Sequence, residues 1–124
     1  MVTLPSEMIA IGMSSFGGPD VLVPQTRPVP HPAPGEVLVR VMAAGVNRPD
    51  LLQRQGAYPP PPGASDIPGL EIAGTVVSCA DDVTLWSPGD EICALVPGGG
   101  YAEFCTVHES HALPVPPHFS MSEA

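Results

Sequence analysis

The chain has 124 residues, a formal net charge of −9 and a hydrophobic content of 44%, which suits one folded domain of ordinary size. Its four cationic side chains are all arginine, too few to neutralise nucleic-acid phosphates or an anionic lipid surface. No apolar run approaches the roughly 18 residues of a membrane span, and the start lacks the basic segment and cleavage site of a secretory signal. We therefore expect no nucleic-acid partner, no membrane partner and a cytoplasmic location.

The three cysteines, Cys79, Cys93 and Cys105, are scattered and form no CxxC pair. In a cytoplasmic protein such a set is expected to stay reduced, with buried members behaving as small apolar side chains. Cys105, with His108 and His111, also has the residue types of a metal site. On a strand, however, residues three apart face opposite sides, so this pattern disfavours a metal.

The 18 prolines and 13 glycines fall between short apolar segments, a distribution typical of short strands joined by turns. Strands are predicted at residues 8–13 and 21–23. The proline-rich stretch 24–34 is either an extended connector or an edge strand. The clearest strand follows Gly35, and we predict that its valine face is core; this face consists of Val37, Val39 and Val41.

A short helix is predicted after this strand. Asn47 is a preferred N-cap residue, and Pro49 fits the first turn, where its missing N–H costs nothing. Asp50 complements the positive end of the helix dipole. The helix is expected to continue through residues 51–55, and Gly56 is a natural left-handed stop.

Tyr58 follows this helix on a stiff loop, because Pro59–Pro62 have no backbone donors and favour an extended conformation. A phenol there is neutral at physiological pH and can donate a hydrogen bond to an oxygen that gains negative charge. The alternative is an aromatic ring that only packs on the prolines.

The second half of the chain continues in short segments, with strands predicted at 70–78, 91–96 and 101–107. The glycines at 98–100 precede a strand and not a helix, so they predict a hairpin turn and not a phosphate loop. Residues 111–117 have the pattern of an exit strand or linker. Residues 120–124 resemble a helix start capped by a serine, which suggests a piece of a longer protein. Three aromatic residues are expected to pack rather than bind a ligand: Trp86, Tyr101 and Phe104.

Taken together, these segments resemble the GroES-like catalytic domain of the medium-chain dehydrogenase/reductases, and among them the zinc-independent, ζ-crystallin-like quinone oxidoreductases. The matching motifs are GEVLVRV (35–41), AGVNRPD (44–50), QGAYP (55–59), PGLEIAG (68–74), GDEI (89–92) and GGYAE (99–103). The resemblance implies an all-β fold over residues 1–124, a partly open barrel with one or two short helices. A Rossmann cofactor domain is expected after residue 124.

The chain departs from zinc-dependent members of that superfamily. They place a cysteine ligand where this chain has Asn47 and a histidine ligand where it has Leu70, and leucine offers zinc no ligand atom. Their four-cysteine structural zinc lobe is also absent. The residue matching Glu71 lies behind the metal in those relatives, so here Glu71 and Asp50 are interpreted as turn or cap carboxylates. The resemblance therefore predicts a protein without zinc.

The function implied by the resemblance is NADPH-dependent reduction of a quinone or an α,β-unsaturated carbonyl by metal-free hydride transfer. The full-length protein is expected to be a homodimer, and this domain, inactive alone, to supply the substrate-side wall. Tyr58 is the candidate catalytic residue and is expected to contact substrate and cofactor. Asn47 is either an N-cap only or also a cofactor-binding residue facing the nicotinamide or its ribose. The alternative is a non-catalytic GroES-like binding or structural module.

Overall fold

The structure is a computed structural model and describes residues 3–124. Within this range the chain forms seven strands: β1 (Glu7–Met13), β2 (Leu22–Pro28), β3 (Glu36–Ala44), β4 (Glu71–Cys79), β5 (Glu91–Leu95), β6 (Phe104–His108) and β7 (Ala112–Pro114). One α-helix, α1 (Arg48–Arg54), lies between β3 and β4. Two short 3-10 turns, Pro19–Val21 and Glu109–His111, precede β2 and β7.

Five of the strands form one antiparallel sheet in the order β6–β3–β4–β5–β7, whereas β1 and β2 form a separate antiparallel ribbon. The ribbon joins the chain that precedes β6. The Ile11 N–H donates to the Tyr101 carbonyl at 2.8 Å, and the Glu103 N–H donates to the Ile9 carbonyl at 3.2 Å. β6 and β7 end the sheet without pairing to each other. The prediction of an all-β, partly open barrel with a short helix is confirmed.

β3 is central because its two faces enter two core clusters. Val37 and Val39 are 0% exposed and lie in the cluster shared by β3, β4, β5 and β6. Leu38, on the opposite face, packs with Met8 of the ribbon. The valine core is therefore confirmed, although Val41 is only half-buried and packs against its edge.

The ribbon carries a proline within a strand, since Pro24 of β2 pairs with Ile11. Among the described residues β2 has a neighbour on one side only, so the missing N–H of Pro24 interrupts no second ladder. Of the two alternatives for residues 24–34, the edge strand holds for 24–28 and the connector for the remainder.

α1 begins and ends as predicted. Asn47 is the N-cap of a capping box, in which its side chain faces the Asp50 N–H and the Asp50 carboxylate accepts the Asn47 N–H at 2.9 Å. The Asp50 N–H donates to the Asn47 carbonyl at 3.0 Å. Gly56 adopts a φ of +85°, the left-handed conformation expected after a helix.

The glycines at 98–100 do not form the predicted hairpin turn. β5 pairs with β4 and β7 while β6 pairs with β3, so this stretch crosses between separate parts of the sheet. It packs instead on residues 67–69, whose three carbonyls accept the N–H groups of Gly99–Tyr101 at 2.7 to 3.1 Å. Glycine serves this contact because the two backbones approach closely; a Cβ on Gly69 would lie 2.6 Å from the Tyr101 nitrogen.

The last segments follow their predicted patterns. The exit-strand alternative holds for Ala112–Pro114, which pair with β5. The Glu123 carboxylate accepts the Ser120 N–H at 2.9 Å, and the Ser120 hydroxyl accepts the Glu123 N–H at 3.2 Å. This reciprocal pair is a capping box. Trp86 and Phe104 pack against the two core clusters, as expected.

The crossing at Gly69 predicts a position-specific loss of stability. Gly69 has a φ of +107°, and an added methyl group would also meet backbone atoms of Gly100 and Tyr101. Gly89 has a similar φ of +99° with nothing within 4 Å of its Cβ position. We expect Gly89→Ala to lower the unfolding free energy by about 1–2 kcal/mol, and Gly69→Ala to lower it by roughly 1–3 kcal/mol more. Urea unfolding followed by circular dichroism measures both losses, and equal losses would contradict the close approach.

Candidate functional site

Asn47 and Tyr58 lie beyond opposite ends of α1. Asn47 is the half-buried N-cap, and Tyr58 is half-buried in the loop that follows the helix. Seven helical residues span about 10 Å at 1.5 Å per residue, and no hydrogen bond within residues 3–124 joins the two side chains. The structure thus places both on the β3–β4 connection but does not bring them into one hydrogen-bonded cluster.

The Asn47 side chain takes part in the capping box of α1, where its oxygen faces the Asp50 N–H without reaching a full side-chain hydrogen bond. The Asp50 N–H also donates to the Asn47 carbonyl at 3.0 Å. The amide oxygen therefore serves the helix start, and the NH₂ group is the part that can donate to a ligand.

Asp50 forms the centre of a buried polar cluster. It is 5% exposed, and its carboxylate accepts the Asn47 N–H at 2.9 Å, the Tyr101 hydroxyl at 2.7 Å and the Gly69 N–H at 3.3 Å. A buried carboxylate is tolerated only when such donors replace water. The first turn of α1 adds the positive end of its dipole.

Tyr101 is held as a hydrogen-bond donor in this cluster. Burial, and next the hydrogen bond to the Asp50 carboxylate, raise the pKa of Tyr101 well above its usual range. The hydroxyl therefore stays protonated and keeps donating to Asp50 throughout the neutral range.

The interpretation of Asp50 as a capping carboxylate is confirmed. The expectation that Tyr101 packs is also confirmed, since it lies against the second core cluster. It did not indicate that the two side chains meet. They are 51 residues apart, and Gly69 is 19 residues from Asp50. The one local signal is the spacing of Asp50 and Gln53, two polar residues three positions apart and therefore on one face of α1. The structure buries both, and buried polar groups require hydrogen-bond partners.

A groove of about 870 Å³ lies beside the end of β3, the start of β4 and the second half of β5. Its walls are mainly small or apolar and come from residues 43–45, 72–73, 93–97, 113, 121–122 and 124; Glu71 supplies a carboxylate and His111 an imidazole. The Glu71 side chain lies over Gly45, where a Cβ would overlap it. Asn47 and Tyr58 do not line the groove. Glu71, interpreted from the sequence as a turn or cap carboxylate, is thus a wall residue of this groove.

Within residues 3–124 no group of three or more histidine, cysteine or carboxylate side chains is placed to hold a metal ion. Cys105 is 3% exposed, whereas His108 and His111 are exposed with ring centroids 5.4 Å apart. Burial, and to a smaller degree the charge of Glu36, raise the pKa of Cys105 to about 12. Metal binding needs the thiolate, so Cys105 is a core side chain. Zinc independence stays a prediction.

The burial and raised pKa of Cys105 predict that its thiol reacts slowly in the folded protein. At pH 8 we expect a thiol reagent such as 5,5′-dithiobis(2-nitrobenzoic acid) to leave Cys105 unmodified in the folded protein, because its raised pKa keeps the thiol protonated. After unfolding in urea, all three cysteines should react. Peptide mapping identifies the modified residue, and Cys105→Ser provides the matched control. Rapid native modification of Cys105 would contradict its burial.

Comparison with known proteins places the chain in a family. Residues 33–117 match the alcohol dehydrogenase GroES-like domain. Quinone oxidoreductase of Mus musculus is 38% identical over 118 residues, covering 94% of this chain and 36% of that protein. The crystal structure of human synaptic vesicle membrane protein VAT-1 homolog-like protein has a TM-score of 0.87 at 35% identity, covering 95% of this chain and 38% of that one. A Pseudomonas syringae quinone oxidoreductase structure has a TM-score of 0.82 at 32% identity, covering 92% and 35%.

The chain therefore belongs to the alcohol dehydrogenase GroES-like domain family, in the medium-chain dehydrogenase/reductase superfamily, as its motifs predicted. Its relatives include quinone oxidoreductases and VAT-1 homologues. It spans about a third of the length of these relatives. In residues 3–124 no helix has the length and apolar character needed to cross a membrane.

Proposed function

We propose that the full-length protein reduces quinones or α,β-unsaturated carbonyls with NADPH, without a metal. The observation that carries this is the 38% identity to a quinone oxidoreductase over 94% of the chain. Residues 1–124 would form the substrate-side wall of the active site, and a Rossmann domain following residue 124 would bind most of the cofactor. Relatives about three times as long leave room for such a domain. A homodimer formed through that domain belongs to the same proposal.

The choice of acceptor follows from the absence of metal ligands at Asn47 and Leu70. Reduction of a simple ketone leaves concentrated negative charge on one oxygen, which must be stabilised as it forms. A quinone or enone spreads that charge over a conjugated system, so neutral hydrogen-bond donors suffice. In this wall the donors are the Tyr58 phenol, directed at the acceptor oxygen, and the Asn47 amide, directed at the cofactor.

Asn47 and the residues that line the groove fit the nicotinamide end of NADPH better than its phosphates. NADPH, when bound, supplies the hydride, and the Asn47 amide can hydrogen-bond the neutral nicotinamide carboxamide or the ribose. The groove carries the Glu71 carboxylate and the His111 imidazole, and none of the four arginines lines it. Since a carboxylate repels phosphate and no arginine is there to pair with one, we infer that the phosphates are held outside this groove. The preference for NADPH over NADH would be decided there as well.

The proposed function requires NADPH-dependent turnover that does not depend on zinc. Full-length protein should oxidise NADPH, followed at 340 nm, when 1,4-benzoquinone is added. Turnover should persist after dialysis against a chelator, and elemental analysis should find far less than one zinc per chain. Stoichiometric zinc whose removal abolishes turnover would contradict the assignment of Asn47 and Leu70.

The second candidate function is a non-catalytic binding or structural module. Its support is that VAT-1 homologues, whose names state no reaction, are 35–37% identical to the chain, nearly as similar as the quinone oxidoreductases. The same assay separates the two candidates. A folded full-length protein that binds no NADPH and reduces no quinone favours the module.

The Tyr58 phenol gives the second prediction. Tyr58→Phe should lower kcat/KM for the quinone roughly 10-fold or more, because a donor to the developing oxygen charge is lost. NADPH affinity and the melting temperature should stay unchanged, since the half-buried ring is kept. Tyr58→Leu tests the ring separately. If Tyr58→Phe matches the unaltered enzyme while Tyr58→Leu is impaired, the side chain acts only by packing.

A further inference from the structure

Asp50 joins two chain segments that border the proposed active site. Its Oδ2 atom accepts the backbone N–H of Asn47 at 2.9 Å, and its Oδ1 atom accepts the backbone N–H of Gly69 at 3.3 Å. Asn47 carries the amide proposed to face the cofactor. Gly69 lies two residues before Glu71, which starts β4 and lines the groove. One carboxylate therefore spans both segments.

The third donor to this carboxylate is itself fixed. The Tyr101 N–H donates to the Pro68 carbonyl at 2.9 Å, and the Tyr101 carbonyl accepts the Ile11 N–H at 2.8 Å. The Tyr101 hydroxyl donates to Asp50 Oδ2 at 2.7 Å. Through Tyr101, Asp50 is thus hydrogen-bonded to a residue that is itself held by the β1–β2 ribbon and by the 67–69 segment, so its position does not depend on α1 alone.

Gln53 provides an internal comparison. It lies one turn after Asp50 on the same helix and is 4% exposed, against 5% for Asp50. Its Nε2 donates to the Asp66 carbonyl at 3.1 Å, so it also ties α1 to the loop before β4. It has no hydrogen bond with Asn47, Gly69 or Tyr101. Gln53 is therefore as buried as Asp50 and stabilises the same helix, but it forms no hydrogen bond to Asn47 or to Gly69.

We infer that Asp50 is a positioning residue: its buried carboxylate holds Asn47 and the Gly69–Glu71 segment in fixed relation and so aims the Asn47 amide at the cofactor. This rests on the proposed NADPH-dependent reduction. Because the ligand contacts stay present but become misaligned when the carboxylate is lost, the effect falls on the rate more than on binding. Misplacement by about 1 Å can cost up to ~100-fold in rate.

The test uses full-length protein and three variants. Asp50→Asn keeps the shape but has one acceptor oxygen, so its NH₂ group faces one of the donors. Tyr101→Phe removes one of the three hydrogen bonds and leaves the carboxylate. Gln53→Met is the matched control. For each, we would measure kcat and KM for 1,4-benzoquinone, Kd for NADPH, the melting temperature, and hydrogen–deuterium exchange of peptides containing the Asn47 and Gly69 amides.

We expect Asp50→Asn to lower kcat at least 10-fold with KM and Kd changed less than threefold, and to speed exchange at both amides. Tyr101→Phe should change kcat in the same direction by a smaller factor. Gln53→Met should lose melting temperature comparably yet keep kcat within twofold, because Asn47 and Gly69 remain bridged.

An equal kcat loss in Asp50→Asn and Gln53→Met, or unchanged amide exchange in Asp50→Asn, would overturn the positioning role. If Asp50→Asn does not fold, Tyr101→Phe decides, and its unchanged kcat would overturn the role. If the unaltered protein has no turnover, the proposed function itself fails. The exchange data and the NADPH Kd then show whether Asp50 still orders the two segments.

Discussion

The buried carboxylate of Asp50 is the constraint on which the arrangement of the site depends. A charge that is 5% exposed has lost nearly all contact with water, and protein donors must replace that hydration. The donors come from the start of α1, from the residue before Leu70 and from the chain before β6. These segments are distant in sequence, so satisfying one carboxylate fixes three parts of the fold at once.

The glycine crossing is what lets the third donor reach Asp50. Residues 98–100 pack on 67–69 so closely that side chains are excluded at Gly69 and Gly100. Tyr101, the next residue, is thereby hydrogen-bonded through its backbone to Pro68 and to Ile11. The glycine crossing therefore connects the β1–β2 ribbon to the start of α1 through Tyr101. Their role is structural, although their sequence resembles that of a turn.

Charge supports the role proposed for this domain as the side of the site that faces the acceptor and not the cofactor phosphates. The net charge of −9 and the Glu71 carboxylate in the groove make residues 1–124 a poor surface for a dinucleotide phosphate. Neutral donors, by contrast, suit a quinone oxygen and a nicotinamide carboxamide. In the proposed reaction, a wall of this kind would orient the reactants and exclude water, and the proposed second domain would contribute the cofactor.

The elements whose signals are local could be predicted from the sequence. Alternating valines predicted the β3 core, and Asn47, Pro49 and Gly56 bounded α1, because caps and periodicity act within a few residues. Motif order also indicated the family. That residues 98–100 form a crossing and not a hairpin follows only from the packing of the folded chain, since glycine permits both. The contact between Asp50 and Tyr101, 51 residues away, follows from the same packing. Such a contact depends on how the strands are ordered in the sheet, which no local pattern encodes.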